Sequence, residues 1–388
     1  MKVPSKLRAA SALAALSLTA LTLAACGGSD DDGAATSAAS DGGTATGASA
    51  SASMETIKQC PVLNIITWEG YANDAYVRPF EERYGIEVKP TYASSDTELV
   101  AKAATQRGAF PVVSVNGAVR GRQAAAGAIQ PLDVSKLEHY DGAPQQLRDA
   151  LVIDGETWGT PQNWGVNPFI YDRSVLRADE VTGYDVLWNP ALRGKVSLWN
   201  EVSLIYIGAT VLGYNDDVFD LSDEQLDEIK KRMLTLAPQV RTTWNSGGEL
   251  VQLFTNGEVA ASPGWASIYT QLEREGDGRF AQAVFEDSGA NAWVDGLGIG
   301  ADVSEPCKEA AYAWINWMTD PEMQATLVRE TGYGPAQPDA ARFLSPELAE
   351  QSGATRAEEL LRKGIVRVDP ARPDVYQRYT DEIVAGFR

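Results

Sequence analysis

From Pro61 onward the chain alternates between two kinds of stretch, and this alternation restricts the folds open to it more than any other feature. "PVLNIITW" (Pro61–Trp68) is a near-continuous apolar run, the pattern of a strand buried on both faces. A helical pattern over Asp74–Tyr84 follows and stops at Gly85, and "IEVKPTY" reads as a second strand. "SDTELVAKAATQ" has a Ser95/Asp96 start and apolar Leu99, Val100, Ala103 and Ala104, so it is a helix. "FPVVSV" is a third strand, ending at Asn116-Gly117. Strand and helix trading places in this way predict an α/β chain with a mostly parallel sheet.

The pattern continues in the second half. "TWGTPQNWGVNPFIYDRSVL" is a long extended segment leaving the first group of strands, and "KVSLWN" is a strand with a helix after it from about Leu204. "LSDEQLDEIKKRMLTLAP" is an amphipathic helix capped by Ser222, "GGELVQLFTNG" is helical to Gly257, and "EVAASPGW" and "NAWVDGLGIG" are strands. "EAAYAWINWMT" sets Ala311, Trp314, Ile315 and Met318 on one helical face, and "DPEMQATLVRE" opens on an Asp320 cap with Pro321 in the first turn. The stretch from Cys60 to Arg388 is roughly 330 residues, enough for two domains at ~100–200 residues each.

The N-terminus is of another kind. Lys2, Lys6 and Arg8 precede an apolar run from Ala9 to Ala25, and "LAAC" ends at Cys26. Residues 1–25 read as a secretory signal peptide, and the cleavage site resembles the lipobox of bacterial lipoproteins, which implies acylation of Cys26. The run is short, rich in Ala, Ser and Thr, and lacks a basic stop-transfer flank, so a lipid anchor is expected in place of a membrane-spanning helix. Residues 26–58 are dominated by Gly, Ser, Ala, Thr and Asp and are expected to be a flexible tether without secondary structure. In an exported chain the two remaining cysteines, Cys60 before the first strand and Cys307 before a helix, are expected to form a disulfide. A formal charge of −20 argues against a nucleic-acid partner and is compatible with a cationic ligand.

In open α/β sheets, ligands sit beyond the carboxyl ends of the strands. Those ends carry Trp68, Glu69 and Tyr71; Asn116 and Gly117; Asn200 and Glu201; Gly264 and Trp265; and, on the return strand, Trp293 and Asp295, which as i and i+2 share a face. Aromatic faces attract cations, and a buried carboxylate without a cation is costly, so this set suits an alkylammonium ligand. Trp188, Trp199, Trp244, Trp314 and Trp317 are assigned to packing, and the single His139 to a loop. No metal site or cofactor is expected, and no HExxH, P-loop or dinucleotide fingerprint occurs.

The motifs "TWEGY", "FEERYGIEV", "AIQPLDVSKL", "WGTPQNWGV", "LWNPALRGKV", "GEVAASPGW", "WVDGLGI" and "ETGYGPAQP", in this order from about Leu63 to the C-terminus, carry a resemblance. The chain is similar to the spermidine/putrescine-binding proteins, within the family 1 extracellular solute-binding proteins of ABC importers. The resemblance implies a periplasmic-binding-protein-like (type II) fold, two α/β lobes joined by crossing strands with the ligand cleft between them. The expected division is 59–166 with 296–335 in lobe 1 and 167–295 with 336–388 in lobe 2. It further implies aromatic ligand contacts from Trp68 and Tyr71 in the first lobe and from Trp265 and Trp293 in the second, and an ammonium contact from Asp295, with the glycines after it letting the backbone pass close to the ligand. An ABC permease and its ATPase are the implied partners, and a monomer the implied state.

Three departures bear on the ligand. Asn116, Gly117 and Ala118 stand where the family often has contacts, Gly70 occupies a position often acidic, and Ser203 and Leu204 replace another expected carboxylate. Fewer carboxylates imply fewer amines, so a diamine, a monoamine or an amino-acid-like cation fits better than a long polyamine. The rival readings are a sugar or other neutral solute, an anion or iron binder of the same superfamily, and a glycoside hydrolase using Glu69 and Asp295 across an aromatic cleft.

Overall fold

The computed structural model describes residues 53–276, 278–285, 292–363 and 366–387. The expected signal peptide, Cys26 and residues 26–52 of the expected tether lie outside them. The described residues form one compact unit.

Among the described residues, twelve of fourteen strands build two main sheets. The first seven are β1 (Val62–Thr67), β2 (Glu87–Tyr92), β3 (Val112–Asn116), β4 (Ile129–Gln130), β5 (Val152–Ile153), β6 (Glu156–Thr157) and β7 (Thr160–Val166). Then come β8 (Phe169–Asp172), β9 (Val196–Trp199), β10 (Val240–Trp244), β11 (Ala261–Pro263) and β12 (Phe280–Ala283), followed by β13 (Ala292–Gly300) and β14 (Gly334–Pro335). The order in the first sheet is β14-β7-β13-β3-β1-β2, with β4 also on β13; in the second it is β10-β9-β11-β8-β12; β5 and β6 form a separate hairpin.

Local signals fix the helices where the sequence puts them. Asp74–Tyr84 ends on Gly85 at φ 68°, the left-handed geometry that glycine adopts without a steric penalty. Asp223–Leu234 starts in a capping box, with Ser222 accepting from the Gln225 N–H and the Gln225 side chain accepting from the Ser222 N–H. Asp320 accepts from Glu322 and Met323 at the start of Pro321–Thr331.

Four expectations are corrected. The sheets are mixed, not mostly parallel: β1 runs parallel to β2 and β3, but β13 lies antiparallel to both β3 and β7, and β11 and β12 are antiparallel to β8. The expected boundary at Asp295 cuts a continuous strand. All of β13 pairs within the first sheet, so Trp293 and Asp295 belong to that sheet and not to the second lobe. Residues 336–363 also do not join the second lobe as a block. Ala336 and Ala357 pack in one cluster with Trp164 and Leu147, and the chain returns to the second core only with the helix Pro373–Ala385, whose Tyr376 and Ile383 are buried there.

The tether, finally, ends earlier than expected. Met54–Lys58 is a helical turn started by Ser53, whose side chain accepts from the Thr56 N–H, and Ile57 is buried in the apolar cluster that includes Ile315 of the helix Glu305–Thr319. A short polar stretch folds here because one apolar residue finds a ready-made apolar face. Just beyond it, a disulfide joins Cys60 to Cys307 with a Cα–Cα distance of 4.9 Å.

The chain passes between the lobes along three neighbouring segments. Ala292 pairs antiparallel with Val166 and forms a parallel bridge to Val366, and the Arg367 N–H donates to the Ala292 carbonyl at 2.8 Å. The connections between the sheets are therefore hydrogen-bonded to one another.

Candidate functional site

Where the two lobes face each other the structure encloses a cavity of about 50 Å³. Seven of the eight ligand residues expected from the sequence line it: Trp68, Glu69, Tyr71, Asn116, Trp265, Trp293 and Asp295. The eighth, Glu201, lines an adjoining cavity of about 430 Å³ and is engaged in an ion pair with Arg367.

Asp295 is the most unusual group in the cavity. It sits on β13 opposite Asn116 of β3 and Asn163 of β7, and it is 5% exposed. Its Oδ2 accepts the Tyr71 hydroxyl at 2.6 Å, whereas Oδ1 is buried without a hydrogen-bond partner among the described residues. Burial pushes the carboxyl up to about 7, against the opposing effect of the Tyr71 hydrogen bond. Tyr71 is itself held protonated, first by burial and then by the Asp295 charge, so it stays a donor. An ionised carboxylate left half-satisfied among aromatic side chains is costly unless a cation meets it.

The aromatic walls are fixed by each other. Trp293 and Tyr333 meet edge to face at 4.7 Å, and the Trp293 indole N–H donates to Asn167 Oδ1 at 2.9 Å. Tyr71 meets Tyr333 edge to face at 6.0 Å. On the facing lobe Trp265 stands edge-on to both Trp199 and Trp244, at 5.1 and 5.0 Å, while those two stack on each other at 5.4 Å. Offset and edge-to-face contacts of this kind hold the ring planes before any ligand arrives. A smaller side cavity of about 30 Å³ continues past Trp199 and Trp265 into the second lobe.

Two further expected residues also have protein partners. Glu69 Oε2 accepts the Gly247 N–H at 3.0 Å, so a first-lobe carboxylate rests on the N-terminus of the second-lobe helix Gly247–Thr255. Asn116 Oδ1 accepts the Ala118 N–H at 2.7 Å and shapes the turn after β3. The glycines of β13 also make room for neighbouring protein segments. A Cβ on Gly296 would lie 2.3 Å from Leu151 Cδ1, and one on Gly300 would lie 2.1 Å from the Phe110 carbonyl oxygen, so their lack of side chain lets neighbouring segments close on the strand.

Five lining residues escape the sequence reading: Asp96, Asn167, Trp199, Tyr333 and Arg367. Trp199 is the last residue of β9, so the strand-end rule that picks out Asn200 and Glu201 could have reached it. Asp96 reads as part of a helix start, which it also is. Arg367 has no local signal; it arrives on the third connecting segment, where its Nη2 pairs with Glu201 Oε1 at 2.8 Å. His139 lies elsewhere, with Nε2 3.8 Å from Asp320. Among the described residues no group of three or more His, Cys, Asp or Glu could hold a metal ion, and no helix is long and apolar enough to cross a membrane.

Comparison with known proteins agrees with this architecture. Residues 75–355 match the family described as bacterial extracellular solute-binding protein. The spermidine/putrescine-binding periplasmic protein of Escherichia coli (strain K12) is 24% identical over 331 residues, covering 84% of this chain and 92% of that protein. The putrescine-binding periplasmic protein PotF of the same organism is 25% identical over 330 residues, covering 80% and 88%. The structure of a putative spermidine/putrescine ABC transporter from Listeria monocytogenes superposes with a TM-score of 0.72 at 18% identity, over 84% of this chain and 98% of that one. With a matched family segment that spans most of both sheets and an aromatic cavity between them, the chain belongs to the bacterial extracellular solute-binding proteins, which bind their ligand and do not transform it.

Proposed function

We propose that this chain is the extracytoplasmic receptor of an ABC importer and that its ligand is a small organic cation of the diamine or polyamine type. The observation that carries the reading is Asp295: a buried carboxylate with one oxygen unpartnered, at the bottom of a cavity walled by Trp68, Trp265, Trp293 and Tyr333. Aromatic faces contribute about 0.5–2 kcal/mol per cation contact, more as water is excluded. The names of the relatives, spermidine/putrescine-binding and putrescine-binding, support the same ligand class. A permease and its ATPase are the partners this role requires, and acylation of Cys26 would hold the receptor at the membrane.

Calorimetric titration of the chain from about Ser53 onward tests the proposal, with putrescine, cadaverine, spermidine, agmatine, 4-aminobutyrate, choline and maltose as ligands. Saturable heat with one or more amines and none with maltose is the expected result. Silence across all the amines from a folded protein overturns it.

The pH dependence follows from Asp295. Its folded value of about 7 lies above the usual carboxylate range near 4, so between those limits the ligand-free fold holds a proton that the unfolded chain releases. The ligand-free protein is therefore most favoured by this group at low pH and loses that contribution as the pH rises toward 7. An ammonium ligand reverses the preference, because it competes with the proton. Affinity is expected to fall as the pH drops below about 7, by up to roughly tenfold per unit; a flat profile from pH 5 to 8 would contradict the assignment of the ammonium to Asp295.

A further inference from the structure

Asn163 stands beside Asp295, directly opposite it in the antiparallel pair of β13 with β7. Facing residues in such a pair carry their Cβ atoms about 4.5–5.5 Å apart on one side of the sheet. Asn163 is 0% exposed, and neither its amide nitrogen nor its amide oxygen has a hydrogen-bond partner among the described residues. A buried carboxamide with both atoms bare is costly, and such a group calls for an explanation. Asn163 is not part of the cavity lining, so the ligand is not what its amide meets.

The bare atoms gather at one place. Asp295 Oδ2 holds the Tyr71 hydroxyl, while Oδ1 is unpartnered. The Asn163 amide acts on the same Tyr71 hydroxyl, lowering its pKa against the larger effects of burial and the Asp295 charge. Asn163 and Asp295 therefore approach one hydroxyl from adjacent strands. Asn116, opposite Asp295 on its other flank, is engaged through Oδ1 with the Ala118 N–H. A carboxamide suits the free Asp295 oxygen in either protonation state. Its C=O can accept from a carboxylic acid and, after a half-turn of the amide, its nitrogen can donate to a carboxylate.

Resting on the proposed reading of the site, we infer that Asn163 is the positioning residue of the ammonium site: its carboxamide partners Asp295 Oδ1 and holds the carboxylate ready to receive a cation. A carboxylate oxygen has two lone pairs, so the amide and an ammonium can share Oδ1. Hydrogen bonds to charged groups are stronger than those between neutral groups, so the amide favours the ionised form. The titratable groups that face Asp295 are Tyr71, Tyr333, Asp96 and Arg367, and Glu69 lines the same cavity. A substitution at Asn163 leaves all five in place, so its effect reports the amide.

The test is calorimetric titration with putrescine from pH 5 to 9 on the wild-type chain and on Asn163→Leu, which is close in size and has no polar side-chain atom. Removing the amide is expected to raise the pH midpoint of binding by about one unit, the difference between a charged and a neutral hydrogen bond. With the wild-type carboxyl at about 7, affinity then falls roughly fivefold at pH 7 and roughly tenfold at pH 6, and the two proteins converge by about pH 9. The ligand-free variant is expected to melt no lower than wild type, since it loses two buried atoms without partners. In the wild-type chain the Asn163 side-chain amide, followed by NMR, is expected to titrate with the midpoint of putrescine binding, a reading that needs no variant. The inference is overturned if Asn163→Leu keeps the wild-type midpoint, if its affinity falls by one factor at every pH, or if the amide signal responds neither to pH nor to putrescine. In each of those cases amine binding by wild type leaves the receptor proposal intact, whereas the absence of any amine binding to wild type removes both.

Discussion

Replacing Asp295 with Asn is expected to weaken amine binding by about 30-fold to several thousand-fold, the equivalent of ~2–5 kcal/mol for one partner of a buried charge pair. The side chain keeps its shape, and its amide oxygen can still accept the Tyr71 hydroxyl that now lies 2.6 Å from Oδ2. What disappears is the negative charge. The same substitution should make the ligand-free protein more stable above pH 7, because it removes a buried carboxylate whose Oδ1 has no partner. The combination is diagnostic. Calorimetry and thermal melting on one variant should show affinity lost and melting temperature raised. A fall in both would mean that Asp295 is a structural residue and that the ammonium site lies elsewhere.

The second large effect concerns the disulfide. Cys60 and Cys307 are 247 residues apart, and the bond ties the segment before β1 to the helix Glu305–Thr319. Closing so long a loop limits the unfolded chain, and its removal is expected to cost ~2–5 kcal/mol. For a domain of this size that is a fall of about 3–7 °C in melting temperature. Both cysteines lie away from the ligand cavity, so the Cys60→Ser, Cys307→Ser double variant should bind amines as wild type does at 25 °C. Melting with and without reductant, beside the double variant, checks this; a reductant-insensitive wild-type melt would show that the bond carries no stability.

The elements set by local chemistry were legible. Helix starts at Ser95, Ser222 and Asp320 need only a hydroxyl or carboxylate within reach of the next N–H groups, and each forms as expected. Strand ends also predicted seven cavity residues, since alternation and a turn signal are short-range facts. What failed was long-range. Nothing in "NAWVDGLGIG" states that the strand enters antiparallel between β3 and β7, because that choice depends on partners more than 100 residues away. For the same reason Trp293 was placed in the wrong lobe. Glu201, expected to contact the ligand, pairs with Arg367, which lies 166 positions downstream and has no local signal. Trp199 was set aside as packing, yet it does both: it stacks on Trp244 and shows its remaining surface to the cavity.

The three connecting segments have a consequence for how a receptor of this kind reports what it holds. Val166, Ala292 and Val366 are bonded side by side, so they can twist only together. The contacts that join the lobes elsewhere are both polar and apolar: Glu69 to Gly247, Ser267 to Tyr333, Thr270 to Thr331, Arg274 to Glu330, and Trp265 and Ala266 against the first-lobe apolar cluster. Opening about that pivot would separate these contacts, and occupancy would then be converted into an angle between the two halves. A measured dissociation constant then contains a closing term as well as a contact term. A membrane partner that docks on both halves would sense that angle without ever touching the ligand.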